Sequence, residues 1–198
     1  MKTLWLAPVF VIMLFAGLGA PVSGQPAPDG PRFTAQGRLQ RPANYREWIW
    51  LSSGLGMSYN PASSGRGGDP PFDNVFVTPA AYRAFLQTGT WPDQTVFVLE
   101  VRASQSNGSI NRQGHYQGDR VAMEVEVKDQ RRFPGKWAFF AFEGASDSAA
   151  QIPQSAACYS CHARNGAVDN TFVQFYPTLL EIARQKGTFR PSPERPVR

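Results

Sequence analysis

"RVAMEVEVKD", residues 120–129, decides the fold. Val121, Met123, Val125 and Val127 fall on one side of an extended chain and Glu124, Glu126 and Lys128 on the other, the period-two pattern of a strand. The upstream stretch "TVFVLEVRA" (95–103) reads as a second strand. Between them "SQSNGSINRQGHYQGD" is polar and glycine-bearing, so the two are expected to form an antiparallel hairpin with a long loop. Further upstream, "NVFVTP" reads as a short strand and "PAAYRAFLQTG" as a helix, with Thr78 as its cap, Pro79 in its first turn and Gly89 just past its end. Downstream, "KWAFFAFEG" is apolar on both faces, which suggests a central strand or one lying beneath a bound group. The segments "DSAAQIPQSAACYSCHARNG" and "NTFVQFYPTLLEIARQKG" favour helices, the second closing at Gly187 after Arg184 and Lys186. With no internal repeat, the expected class is α+β: a mainly antiparallel β-sheet with flanking helices, and "CYSCH" on the C-terminal helical segment.

The N-terminus bears on compartment. Lys2, the uncharged apolar run "LWLAPVFVIMLFAGLGA" and the small residues of "PVSG" read as a secretory signal over 1–24, cleaved near Gly24. The run is too short, and too soon broken by Pro and Gly, for a membrane span. An uncleaved anchor is the alternative. A periplasmic or secreted protein, off the membrane once the signal is removed, is therefore expected. Residues 25–42, rich in Pro, Gly and polar side chains, read as a flexible leader; 43–188 as one domain; and 189–198 as a tail. "SYNPASSGRGGDPPFDN" reads as a loop, either a lid or plain surface. The formal charge is +5, of which Lys2 contributes one, and the basic residues are scattered, so no nucleic-acid partner is expected.

The chain has two cysteines and two histidines, and Cys158, Cys161 and His162 stand together. This C-x-x-C-H run is the attachment sequence of c-type haem. On a helix, positions i, i+3 and i+4 share a face, so two thiols can meet two vinyl groups while the imidazole ligates iron. A redox dithiol, a plain disulfide and a structural zinc site are the competing readings; zinc needs four ligands, and beyond this cluster only His115 and carboxylates are on offer. With His162 as iron ligand, function turns on the sixth position. Outside the signal, its candidate protein ligands are His115, Met57 and Met123, each with an ordinary structural or surface explanation, so an open position is expected.

"NYREWIWL", "NVFVTPAAYRAFLQTGTWPDQTVFVLE", "GDRVAMEVEVKD", "GKWAFFAF" and "ACYSCHARNGAVDNTFVQFYPTL" resemble, in order and approximate spacing, the cytochrome P-460 family over roughly residues 43–188. The most specific element is the run after the cysteines, Asp169, Phe172, Phe175, Tyr176 and Pro177. The resemblance implies one covalently attached, five-coordinate haem c per chain, with His162 on the metal, in a protein that is commonly a homodimer. Some family members oxidise hydroxylamine, pass electrons to a soluble redox partner and carry a lysine joined to the haem. Others, called cytochrome c′-beta, lack that link and bind gases such as nitric oxide. The lysine position matches Leu99, which has no nucleophilic nitrogen; the four lysines are Lys2, Lys128, Lys136 and Lys186. By this resemblance the distal wall holds Leu99 and Phe97, with Phe76 a further candidate to crowd the iron. Glu124 matches the family's proton-accepting carboxylate; its other reading is a solvated face shared with Glu126 and Lys128. The expected activity is binding of a small gaseous ligand such as nitric oxide. The alternatives are oxidation of hydroxylamine, a small nitrogen compound, and six-coordinate electron transfer.

Overall fold

The computed structural model describes residues 29–58 and 69–191. The expected signal and most of the loop read as a lid or plain surface lie outside the described residues. A five-stranded antiparallel sheet runs in the order β2 (Ile49–Leu55), β3 (Phe72–Val77), β4 (Val96–Gln105), β5 (Tyr116–Lys128), β6 (Trp137–Ala141). A second, two-stranded sheet pairs β1 (Leu39–Gln40) with β7 (Ser148–Ala149). Three helices complete the fold: α1 (Pro79–Thr88), α2 (Ala157–Asn165) and α3 (Pro177–Gln185). The class is α+β, as the alternation predicts.

Helix α1 forms where Pro79 presets the first turn and Gly89, at φ 72°, supplies the left-handed end. Thr78 stands at its N-cap but makes no side-chain capping bond. The hairpin is tighter than expected, because β4 and β5 pair as far as Gln105 and Tyr116 and leave residues 106–115 as the loop. "KWAFFAF" is an edge strand rather than a central one. Both its faces are nevertheless covered, and Ile152 N–H closes its outer side by bonding Phe139 O at 2.8 Å. Residues 148–149, expected helical, pair as a strand, and the helix starts only at Ala157.

The sheet is the middle layer between two cores. Val96, Val98, Met123, Val125, Val127, Ala138 and Phe140 point to one side, where Leu39, Tyr45, Trp48, Phe133 and Phe142 cover them. Val77, Phe97 and Trp137 point to the other, against Phe85 and Trp91, the 168–176 segment, and Leu179 and Ala183 of α3. Trp91 donates its Nε1 hydrogen to Thr171 at 2.8 Å. Ordered structure begins earlier than residue 43: Leu39 is 1% exposed in the first core, and Phe33 packs beside it. The face predicted to be apolar is therefore correct from Met123 to Val127, while Val121, beside a bulge, is 61% exposed. The glutamate face of β5 is the surprise, because it is turned towards the second layer, with Glu126 half-buried and Lys128 buried while Glu124 stays exposed.

Candidate haem site

The register of three strands builds one wall. Leu99 lies opposite Val75 on β3 and Glu124 on β5, Phe97 opposite Glu126, and Val101 opposite Asp73 and Ala122. All of these project from one sheet face, since cross-strand partners share a side. Helix α2 forms the facing wall. None of its nine residues is fully buried, and Cys158, Cys161 and His162 present their shared face to the sheet across a cavity of about 420 Å³. A volume of this order suits a cofactor-sized ligand.

The loop after α2 fixes His162. Asp169 and Asn170 adopt left-handed φ of 47° and 63°, making a tight turn in which Thr171 N–H bonds Val168 O at 2.8 Å. This turn places the Asn170 carbonyl 2.9 Å from His162 Nδ1. Gly166 makes the approach feasible, because a Cβ there would lie 2.5 Å from the Asn170 carbonyl carbon and 2.7 Å from its Cα. A carbonyl only accepts, so Nδ1 carries the hydrogen and Nε2 keeps the lone pair that a metal takes. Phe139 and Phe172 pack on the imidazole with ring centroids 4.6 and 4.4 Å away.

The aromatic run acquires specific roles here. Asp169 pairs with Lys128, Phe172 packs on His162, Phe175 and Tyr176 line the cavity, and Pro177 starts α3.

Electrostatics follow from the walls. Burial pulls the His162 imidazole down, but the charge of Glu126, the Asn170 carbonyl and Glu124 outweigh it, and the net shift is upward. Burial pushes the Cys158 thiol up, with Glu124 and Glu126 adding to it. Burial also raises Asp73, helped by the charge of Glu124.

Phe97, Leu99 and Glu124 line the cavity, Glu124 as an exposed residue. Phe76 does not reach it. Pairing with Val98 turns Phe76 to the opposite face, where its ring meets Tyr45 edge-on at 5.6 Å. Met123 is also on that far face, and His115 lies 3.8 Å from Asp69 near the hairpin loop. Of the three candidate sixth ligands only Met57 lines the cavity, seated over Gly54. Lys128 is held by Trp91 O at 2.7 Å and by Asp169, and does not line the cavity. Two lining carboxylates, Asp73 and Glu126, escaped the sequence reading. Asp73 falls in a stretch whose composition reads as a loop, and Glu126 reads only as a companion of Glu124 on a solvated face.

The donor set fits a haem: a free imidazole Nε2, two free thiols one helical turn apart, and apolar walls of Val75, Phe97, Leu99, Val101, Phe139 and Phe172. Among the described residues, no three His, Cys, Asp or Glu side chains gather as a ligand set for a metal ion alone, so the zinc alternative finds no donors. No curated protein matches the chain. The family model of cytochrome P460 matches residues 42–173, a span that begins just before the Tyr45 turn and ends past His162, Asn170 and Phe172. That match covers two thirds of the sequence and every wall of the cavity except Phe175 and Tyr176, and the chain belongs to the cytochrome P460 family.

Proposed function

We propose that this protein is an exported mono-haem c cytochrome that binds a small gaseous ligand such as nitric oxide at an open iron position. In this reading Cys158 and Cys161 anchor the haem, each thiol adding its S–H across one vinyl double bond, and His162 Nε2 ligates the metal. The observation that carries it is the placement of Leu99. A hydrocarbon side chain stands in the middle of the cavity wall, between Val75 and Glu124, at the position that matches the family's linking lysine. The bound haem would supply an iron that takes a diatomic molecule or exchanges one electron. The chain's own residues do the rest. Asn170 fixes the imidazole tautomer, Phe139 and Phe172 hold its plane, and Leu99, Phe97 and Val101 exclude water and favour a neutral ligand.

Oxidation of hydroxylamine is the second reading, and a specific observation favours it. Glu124 and Asp73 both open onto the cavity from strands flanking β4, so a carboxylate is at hand to take a proton. Electrons would then pass to a soluble partner. The family's common homodimer is part of either reading.

The optical spectrum of the purified ferrous protein, with and without nitric oxide, tests the proposal. A high-spin spectrum that changes on adding the gas is expected, with hydroxylamine turnover absent or slow. A sharp low-spin spectrum indifferent to nitric oxide would overturn it, and fast turnover of hydroxylamine would transfer the protein to the second reading.

A further inference from the structure

We propose that Glu126 is a positioning residue for the metal ligand His162, its carboxylate standing beside Nδ1 so that its charge makes the ring a stronger donor to iron; this rests on the haem reading above. Glu126 Oε1 lies 3.4 Å from His162 Nδ1, with the two side chains only 13% and 19% exposed. That oxygen is buried and has no hydrogen-bond partner. The imidazole hydrogen points at the Asn170 carbonyl, so the carboxylate acts on the ring across the gap as a charge and not as a hydrogen-bond acceptor.

Lys128 is the basic residue nearest Glu126 along the same strand face, and it is committed to Asp169 and the Trp91 carbonyl. Phe139, opposite Glu126 on β6, packs its ring against His162 and helps keep water from the gap. Glu124, two residues along, shares the face and adds a negative charge, while Asp169 is neutralised by Lys128. A ligand imidazole whose outer nitrogen faces a nearby negative charge is a stronger donor, which favours the ferric over the ferrous metal and strengthens the metal–nitrogen bond. Glu126 is thus part of the proximal side, although it shares a strand with Glu124.

The test uses haem-loaded protein and the variants E126Q and E124Q, whose haem content is measured first. Two quantities are read: the midpoint potential, and the iron–histidine stretching frequency of the ferrous protein by resonance Raman. E126Q is expected to raise the ferrous-to-ferric ratio at fixed potential about tenfold, equivalent to about 59 mV for one electron, and to lower the stretching frequency. E124Q removes the same charge without facing Nδ1, so it should move the potential less and leave the stretch unchanged. A ratio altered less than twofold in E126Q with an unaltered stretch would overturn the proposal, as would equal stretch changes in both variants. Should E126Q retain no haem, E126D decides: its shorter carboxylate stays charged but withdraws from Nδ1, so an unchanged stretch again refutes the assignment. Failure of the haem reading looks different, since it would show in the unaltered protein as missing haem or a ligand-indifferent low-spin spectrum.

Discussion

Replacing Glu100 with alanine should destabilise the fold while leaving the cavity wall in place. Glu100 is 1% exposed on the face of β4 opposite Leu99, and its carboxylate accepts from the Tyr45 hydroxyl, from Arg46 Nη2 and from Arg102 Nε, the last at 2.8 Å. Hydrogen bonds to a charged group contribute about 1.5–3 kcal/mol each. The Arg46 side chain is 55% exposed, so its share falls to about 0–1 kcal/mol. Relief of the Glu100 desolvation offsets part of the sum, and breaking such a pair leaves Arg102, only 22% exposed, without its partner. A net loss of about 3 kcal/mol follows, which lowers Tm by about 6–12 °C in a domain of this size. Urea unfolding followed by tryptophan fluorescence measures it, and E100M paired with R102M tests the origin: the double variant should recover at least about 1 kcal/mol relative to additivity. Acid titration provides a second arm. Burial raises the Glu100 carboxyl, but Tyr45, Arg102 and Arg46 outweigh it and hold it below its ordinary value. Its contribution is therefore fully present above the unfolded carboxyl's pKa and is lost as pH falls through the lower, folded one. A loss under about 1 kcal/mol, strict additivity, or an E100A variant whose stability declines in acid as steeply as the parent's would refute the reasoning.

Two further outcomes are expected. Gly166→Ala places a methyl 2.5 Å from the Asn170 carbonyl carbon, so the turn must shift and release His162; a destabilisation of about 1–3 kcal/mol and reduced haem content, read by absorbance per chain, are expected. Asp73→Asn should raise stability at neutral pH but not in acid, because burial and Glu124 hold the folded carboxyl above its ordinary value. Such a group stabilises below the unfolded pKa, and that contribution is lost as pH rises through the folded one, as unfolding at a series of pH values would reveal.

The sequence made β3 to β6, α1 and the helix carrying Cys158, Cys161 and His162 legible because each rests on local rules: apolar patterning, Pro79 and Gly89, and helical spacing. What it could not carry was the identity of the cover on each face. Alternation in "RVAMEVEVKD" separates Met123 from Glu124, but only the packing of the 167–176 segment reveals that the glutamate face meets a cavity. "NVFV" is apolar at both parities, so Phe76 could be assigned to the wall or the core until the pairing with Val98 fixed it. Leu39 belongs to a strand of two residues, too short to leave a pattern among prolines and glycines.

The interleaving of the two faces has a consequence for how this protein can change over generations. Core and cavity residues alternate one for one along residues 96–101 of β4 and 123–127 of β5, so a substitution at Leu99 or Glu124 alters the ligand's surroundings while Val98 and Val125 remain untouched. A one-residue insertion would exchange the sets, in β5 sending Glu124 and Glu126 into the apolar core and in β4 turning Glu100 out of it. The bulges beside Val101 and Arg102 lie outward of these segments, towards the hairpin loop. Length variation among descendants should therefore collect beyond residue 101 and before residue 120, while new ligand preferences arise by single replacements at alternate positions.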